Sequence, residues 1–221
     1  MVRRLRNRSE AGKLLAERLS AYQKFPEVVV LALPRGGVPV AFEIAQALHA
    51  PLDIFLVRKL GVPGFPGISM GAIVSGGSHH LDRELTAALR VSRSEFERVL
   101  ANERAELDRR EKSYRGGRPP LHLEGRTVIL VDDGVATSSS MYLVVAALRR
   151  QKPARVVVAA PVAPMCTYQE LRLCADDVEC LLTPQDLRAV SHFYEDFAEV
   201  SDDEVRRLLE AAPKPAEAVC A

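Results

Sequence analysis

The sequence predicts an α/β fold built on a doubly wound, mainly parallel sheet. Three observations lead there. Short continuous apolar runs recur at 27–33 (EVVVLAL), 52–57 (LDIFLV), 128–131 (VILV), 155–160 (RVVVAA) and 178–182 (VECLL), and runs of that length read as strands buried on both faces. Segments of helical period alternate with them, and a recurring strand–helix–strand order specifies parallel pairing with crossover helices. Chemistry-bearing residues also stand directly after three of the runs, and in open α/β sheets ligands bind outside the carboxyl ends of strands.

Composition narrows the class. A chain of 221 residues with 48% apolar and 27% charged residues has enough material for one domain with a sizeable core. The formal net charge of +1 gives no electrostatic case for nucleic acid. Arginines crowd the start (Arg3, Arg4, Arg6, Arg8), but Glu10 and Glu17 speak against a transit peptide. No apolar run reaches the roughly 18 residues of a membrane span. Cys166, Cys174, Cys180 and Cys220 lack zinc spacing and read as reduced thiols, so a cytoplasmic location is expected.

Taken in order, residues 9–20 read as an amphipathic packing helix with Ser9 as N-cap and Leu14, Leu15 and Leu19 on one face. The strand at 27–33 ends in Pro34-Arg35-Gly36-Gly37 and passes into a helix over 38–49. Paired glycines allow tight turns and close backbone approach to a ligand, and Arg35 supplies charge. Alone, such a turn is most often just a turn. The strand at 52–57 ends in the cations Arg58 and Lys59.

A long excursion, 60–126, follows. Residues 68–74 and 78–81 around Gly76-Gly77 predict a hairpin, in which the adjacent His79 and His80 face opposite ways and do not share a metal. Ser92 and Glu95 form a capping box for a charged helix to about Lys112, with Phe96, Val99, Leu100 and Leu107 as its apolar stripe. Residues 114–120 (YRGGRPP) read as a mobile basic loop carrying Arg115 and Arg118.

The most informative stretch is 127–141, TVILVDDGVATSSSM. A buried strand delivers Asp132 and Asp133 at its end, then small residues and the hydroxyls of Thr137, Ser138, Ser139 and Ser140, before a helix over 142–150. A turn rich in N–H groups at a helix N-terminus attracts phosphate, and carboxylates accept hydrogen bonds from vicinal sugar hydroxyls. The strand at 155–160 is closed by Pro161, a short helix covers 167–174, and 178–182 is the last strand. Residues 189–197 (AVSHFYEDF) gather Phe193, Tyr194 and Phe197; Ser201 and Glu204 cap a final helix through Leu209; residues 213–221 read as a tail. The whole chain, 1–221, is expected to form one domain.

Residues 128–140 resemble the 5-phosphoribosyl-1-pyrophosphate (PRPP) motif of type I phosphoribosyltransferases: four apolar residues, two acids, a short spacer, then Thr and a closing hydroxyl. Ser138 departs from the usual glycine, and Ala136 stands where purine-salvage members carry an aspartate. PRGG is similar to that family's pyrophosphate loop, and RKLGVPG to the segment after its second strand. The excursion looks like that of a less-characterised bacterial branch. The resemblance implies transfer of the phosphoribosyl group from PRPP to a purine- or pyrimidine-like base, with Mg²⁺ bound mainly through PRPP and pyrophosphate and no dedicated protein metal cage. Arg35, Gly36, Gly37, Arg58 and Lys59 would neutralise the diphosphate, Asp132 and Asp133 would hold the ribose hydroxyls, and Ala136 to Ser140 the 5′-phosphate. Arg115 and Arg118 would belong to a closing lid within the 60–126 insert. Phe193 or Tyr194, in a small hood over 183–211, would stack on the base. A PRPP- or nucleotide-sensing regulator on the same fold remains the alternative, and a homo-oligomer stays open. A receiver-like phosphoacceptor fits poorly, because the first strand ends in Arg-Gly-Gly rather than in acids.

Overall fold

The computed structural model describes residues 4–25 and 27–214. Arg3, Cys220 and most of the expected tail lie outside the described residues. Five strands form one parallel sheet: β1 (Val28–Ala32), β2 (Leu52–Ile54), β6 (Thr127–Val131), β7 (Arg155–Val162) and β8 (Asp177–Leu182), in the order β2-β1-β6-β7-β8. Side chains alternate between the two faces, so each strand feeds two cores. Val28, Val30 and Ala32 with Ile129, Val131, Val157 and Ala159 face one side; Val29, Leu31, Val128, Leu130, Val156 and Val158 face the other. This double burial is why these strands read as unbroken apolar runs.

Helices cover both faces. On the first lie α1 (Arg8–Arg18), α2 (Gly37–Leu48) and α7 (Asp202–Ala211); on the second lies α5 (Ser139–Arg149), with α6 (Met165–Leu171) beside it. The doubly wound expectation is met. Several local expectations change. Asn7 rather than Ser9 caps α1, its side-chain oxygen accepting from the Glu10 amide at 3.0 Å, while the Ser9 hydroxyl donates to Glu43. Strand β7 runs through Pro161 to Val162; Pro161 lies past the last β6–β7 pair, where its missing N–H breaks no ladder.

The second apolar run splits. Only Leu52–Ile54 joins the main sheet, and after Phe55 and Leu56 the chain enters β3 (Val57–Val62). That strand pairs antiparallel with β4 (Phe65–Val74), which pairs with β5 (His79–Leu81), giving a separate three-stranded ribbon. The predicted hairpin is its second half. A short helix, α3 (Arg83–Ala88), follows, then α4 (Arg93–Arg115), opened by the expected Ser92–Glu95 capping box. No described helix is long and apolar enough to cross a membrane, and Cys166, Cys174 and Cys180 are free thiols.

The two ends of the chain meet. Leu5 bridges to Tyr194 in parallel, its amide donating to the Phe193 carbonyl at 2.8 Å, and the Glu195 and Asp196 amides donate back to Leu5 and Arg6. The C-terminal segment is thereby strapped across the carboxyl end of the sheet.

Candidate active site

Strands β1 and β6 are neighbours in register, with Ala32 opposite Val131, so the loops that leave them emerge side by side. The Pro34–Arg35 peptide in the first loop is cis. A Cβ on Gly36 would fall inside the Asp133 carboxylate, and one on Gly37 would stand 2.7 Å from the Val131 carbonyl oxygen. Glycine at both positions is therefore a packing requirement between the two loops. Each loop ends at a helix N-terminus without a side-chain cap, Gly36 before α2 and Ser138 before α5. At α2 the Gly37 and Val38 amides already donate to the Leu33 and Arg35 carbonyls and Pro39 has no N–H, so it is the first turn of α5 that leaves N–H groups available to an anion.

The acids have unlike surroundings. Asp133 accepts from Arg8 Nε at 2.8 Å through Oδ2, and the Tyr194 hydroxyl donates to its backbone carbonyl at 2.7 Å. Arg8 itself lies over the Phe197 ring, 3.7 Å from the centroid, and donates to the Ala198 carbonyl. Among the described residues Asp132 has no salt-bridge partner of its own; its Oδ1 accepts from the Asp133 amide at 2.8 Å. Burial and then the neighbouring Asp133 charge hold the Asp132 carboxyl well above the usual carboxylate range. One acid is paired with a guanidinium, while the other is buried beside a like charge.

Arg35 stands at the loop tip, 41% exposed in its side chain, paired with Glu199 and, at 3.7 Å, with Asp202. The Asp202 carboxylate also accepts from the Tyr114 hydroxyl at 2.7 Å; burial and this acid raise the phenol to about 12. Of the hydroxyls, Ser138 donates to Glu170 at 2.6 Å, Ser139 and Ser140 open α5, and Thr137 and Ala136 are exposed. The Thr167 hydroxyl donates to the Ala136 carbonyl.

Other expected site residues go elsewhere. Arg58 and Lys59 are not at a carboxyl end of the main sheet, because the chain has left it at Ile54; Arg58 pairs with Glu103 of α4 at 2.5 Å and Lys59 is exposed on the opposite face of the ribbon. Arg115 is the buried last residue of α4 rather than part of a lid. It holds Asp53 at 2.9 Å, Glu111 at 3.2 Å and the Ile54 carbonyl at 3.0 Å, sealing the open edge of β2. Arg118 is exposed but donates to the carbonyls of Arg115 and Leu209. Phe193 and Tyr194 are 8% and 1% exposed; they anchor the strap to the core, so neither ring is presented for stacking.

Sequence reasoning missed Arg8, Glu170, Glu199 and Asp202. The crowding of Arg4, Arg6 and Arg8 was the available signal for the first. The acids carry no local mark, because their partners lie far off in the chain. Among the described residues no group of three His, Cys, Asp or Glu side chains could hold a metal by itself.

Comparison with known proteins agrees with this geometry. Residues 4–196 match the family described as the phosphoribosyl transferase domain. Two proteins from two strains of Mycobacterium tuberculosis, carrying the provisional name phosphoribosyl transferase, are each 40% identical over 206 residues, covering 93% of this chain but 46% of their own length. The chain thus spans about half the length of these curated relatives. The crystal structure of a Thermus thermophilus protein, TT1426, is 43% identical with a TM-score of 0.79, covering 95% of this chain and 99% of that one.

Proposed function

The chain belongs to the phosphoribosyl transferase domain family, and on that footing we propose that it transfers the 5-phosphoribosyl group of PRPP to a nitrogenous base and releases pyrophosphate in a Mg²⁺-dependent reaction. One observation carries this reading: the Arg35-Gly36-Gly37 loop and the Asp132-Asp133 loop pack directly on each other at adjacent carboxyl ends, and the second leads to a helix without a side-chain cap.

In this reading the base nitrogen attacks the anomeric carbon as the bond to the diphosphate oxygen breaks, and the leaving diphosphate takes that electron pair. Charge develops on the diphosphate and on the ring, so alignment and electrostatics do most of the work. Exposed ion pairs are worth at most about 1 kcal/mol, and Arg35 can therefore exchange Glu199 and Asp202 for a diphosphate at small cost. Asp133, held by Arg8, and Asp132 beside it are placed to accept hydrogen bonds from a ribose diol. The open N-terminus of α5 with Thr137, Ser139 and Ser140 takes the 5′-phosphate. Magnesium prefers substrate phosphates, waters and one or two carboxylates; Asp132 fits as such a ligand, and the cation would screen diphosphate charge. A cytoplasmic location accompanies the reading.

The second reading is a PRPP- or nucleotide-sensing protein. It is favoured by the partners already on the site, with Arg8 on Asp133, Glu199 on Arg35 and Glu170 on Ser138. Calorimetric titration with PRPP, with and without Mg²⁺, followed by pyrophosphate release across purine and pyrimidine bases, separates the two. Binding with release for one base establishes the transferase. Binding without release supports the sensor, and absence of binding overturns both.

A further inference from the structure

A cavity of about 600 Å³ lies away from the acid loops, between the edge of β2, the 75–78 turn of the ribbon, α4 and the C-terminal end of α5. It opens to solvent along one side, and ligand pockets run roughly 300–1,000 Å³. Its inner wall is apolar, with Leu31, Phe55 and Leu107. Beside them sits a fixed polar group: Asp53, Ser75 and Arg115 are 7%, 6% and 7% exposed, and each is hydrogen-bonded. The Arg115–Asp53–Glu111 cluster braces that wall, so the space is held open rather than left by loose packing.

The rim is different. Arg104 of α4 donates to the Gly77 carbonyl at 3.2 Å, and Arg150, just after α5, reaches the Ser78 hydroxyl at 3.3 Å. Two guanidinium groups from separate helices thus converge on adjacent residues of one turn. Among the described residues both touch only neutral acceptors and neither has a carboxylate partner. Asp108 lines the same rim, a turn along from Arg104, without pairing to it. Gly76 and Gly77 have φ of +81° and +77°, a turn conformation in which other residues are strained. A Cβ on Gly77 would stand 3.5 Å from Arg104 and one on Gly76 3.8 Å from Gln151.

We infer that this cavity is a second binding site, for a small organic phosphate: Arg104 and Arg150 hold the phosphate at the rim and the apolar interior takes the ester's body. A tetrahedral oxyanion offers oxygens to two forks arriving from different directions, which a lone carboxylate does less well. The site is separate from the proposed PRPP site, and each stands or falls alone.

The test uses phenyl phosphate, with inorganic phosphate for comparison, titrated into the full chain and read as shifts of assigned backbone amides. Saturable shifts are expected at Gly76, Gly77 and Gln151, with tighter binding of phenyl phosphate than of inorganic phosphate. Binding should weaken at least roughly tenfold in the Arg104→Gln/Arg150→Gln variant and persist in Asp132→Asn/Asp133→Asn. Shifts confined to residues 134–140, equal affinity in the arginine variant, or no saturation at millimolar phenyl phosphate would each overturn the proposal. A parallel PRPP titration, read at residues 134–140, reports on the transferase reading without touching this one.

Discussion

Asp132 and Asp133 are adjacent and chemically identical, yet the fold gives them unlike surroundings. Arg8 pairs with Asp133, while burial and then its neighbour's charge raise the pKa of Asp132. A carboxyl whose pKa is raised on folding costs stability as pH climbs from the ordinary carboxylate range to the raised folded value. Asp132→Asn is therefore expected to stabilise the protein at neutral pH while weakening PRPP binding. The gain should vanish once pH falls below the usual carboxylate range, where both forms are neutral; denaturant midpoints across a pH series check it. Gly36→Ala tests the contact between the loops. Its methyl group would enter the Asp133 carboxylate, and overpacking of this kind costs about 1–3 kcal/mol. Unfolding midpoints should fall accordingly and PRPP affinity should drop with them; unchanged values would mean the loops are not mutually fitted.

At the scale of elements, the ribbon and α4 are where expectation and structure diverge most. The run LDIFLVRK looks like one strand because its apolar residues are continuous, yet it serves two sheets, with Phe55 and Leu56 buried at the crossing. Helical propensity carries α4 past Lys112 to Arg115, and Gly116 at φ 59° ends it. Arg115 consequently becomes a strut between α4 and the edge strand. Breaking a buried ion pair by removing one partner costs about 3–5 kcal/mol, so Arg115→Ala should lower the unfolding free energy by about that amount. Pyrophosphate release by the folded fraction should keep its KM for PRPP, whereas a lid residue would change KM first.

Across the whole molecule, the strap joining the chain ends positions the site. Leu5 is 2% exposed and packs with Ala11 and Tyr194, while Arg8 and Tyr194 reach Asp133 from the two ends of the chain. Truncating a buried leucine costs about 2–5 kcal/mol. Leu5→Ala should loosen the strap, seen as faster hydrogen exchange at the Glu195 and Asp196 amides, which donate to Leu5 and Arg6. PRPP affinity should fall with it, although Leu5 touches no proposed ligand group.

What the sequence by itself determined is what is local. Runs such as VVVLA and TVILV are buried on both faces and say so in their composition; the Ser92–Glu95 box and the Gly-Gly turns are set within a few residues. The PRGG and DDGVATSSS segments are legible for the same reason, since each packs its chemistry into one strand-to-helix turn. Tertiary structure alone decided which charges meet. Arg8 and Asp133 are 125 residues apart, and Arg35 and Glu199 are 164 apart. Nothing near any of these positions distinguishes a guanidinium bound for a ligand from one bound for a carboxylate. Arg58, Arg115 and Tyr194 read as site residues in one dimension and became structural ones in three, because burial and partner geometry arise only when distant elements pack.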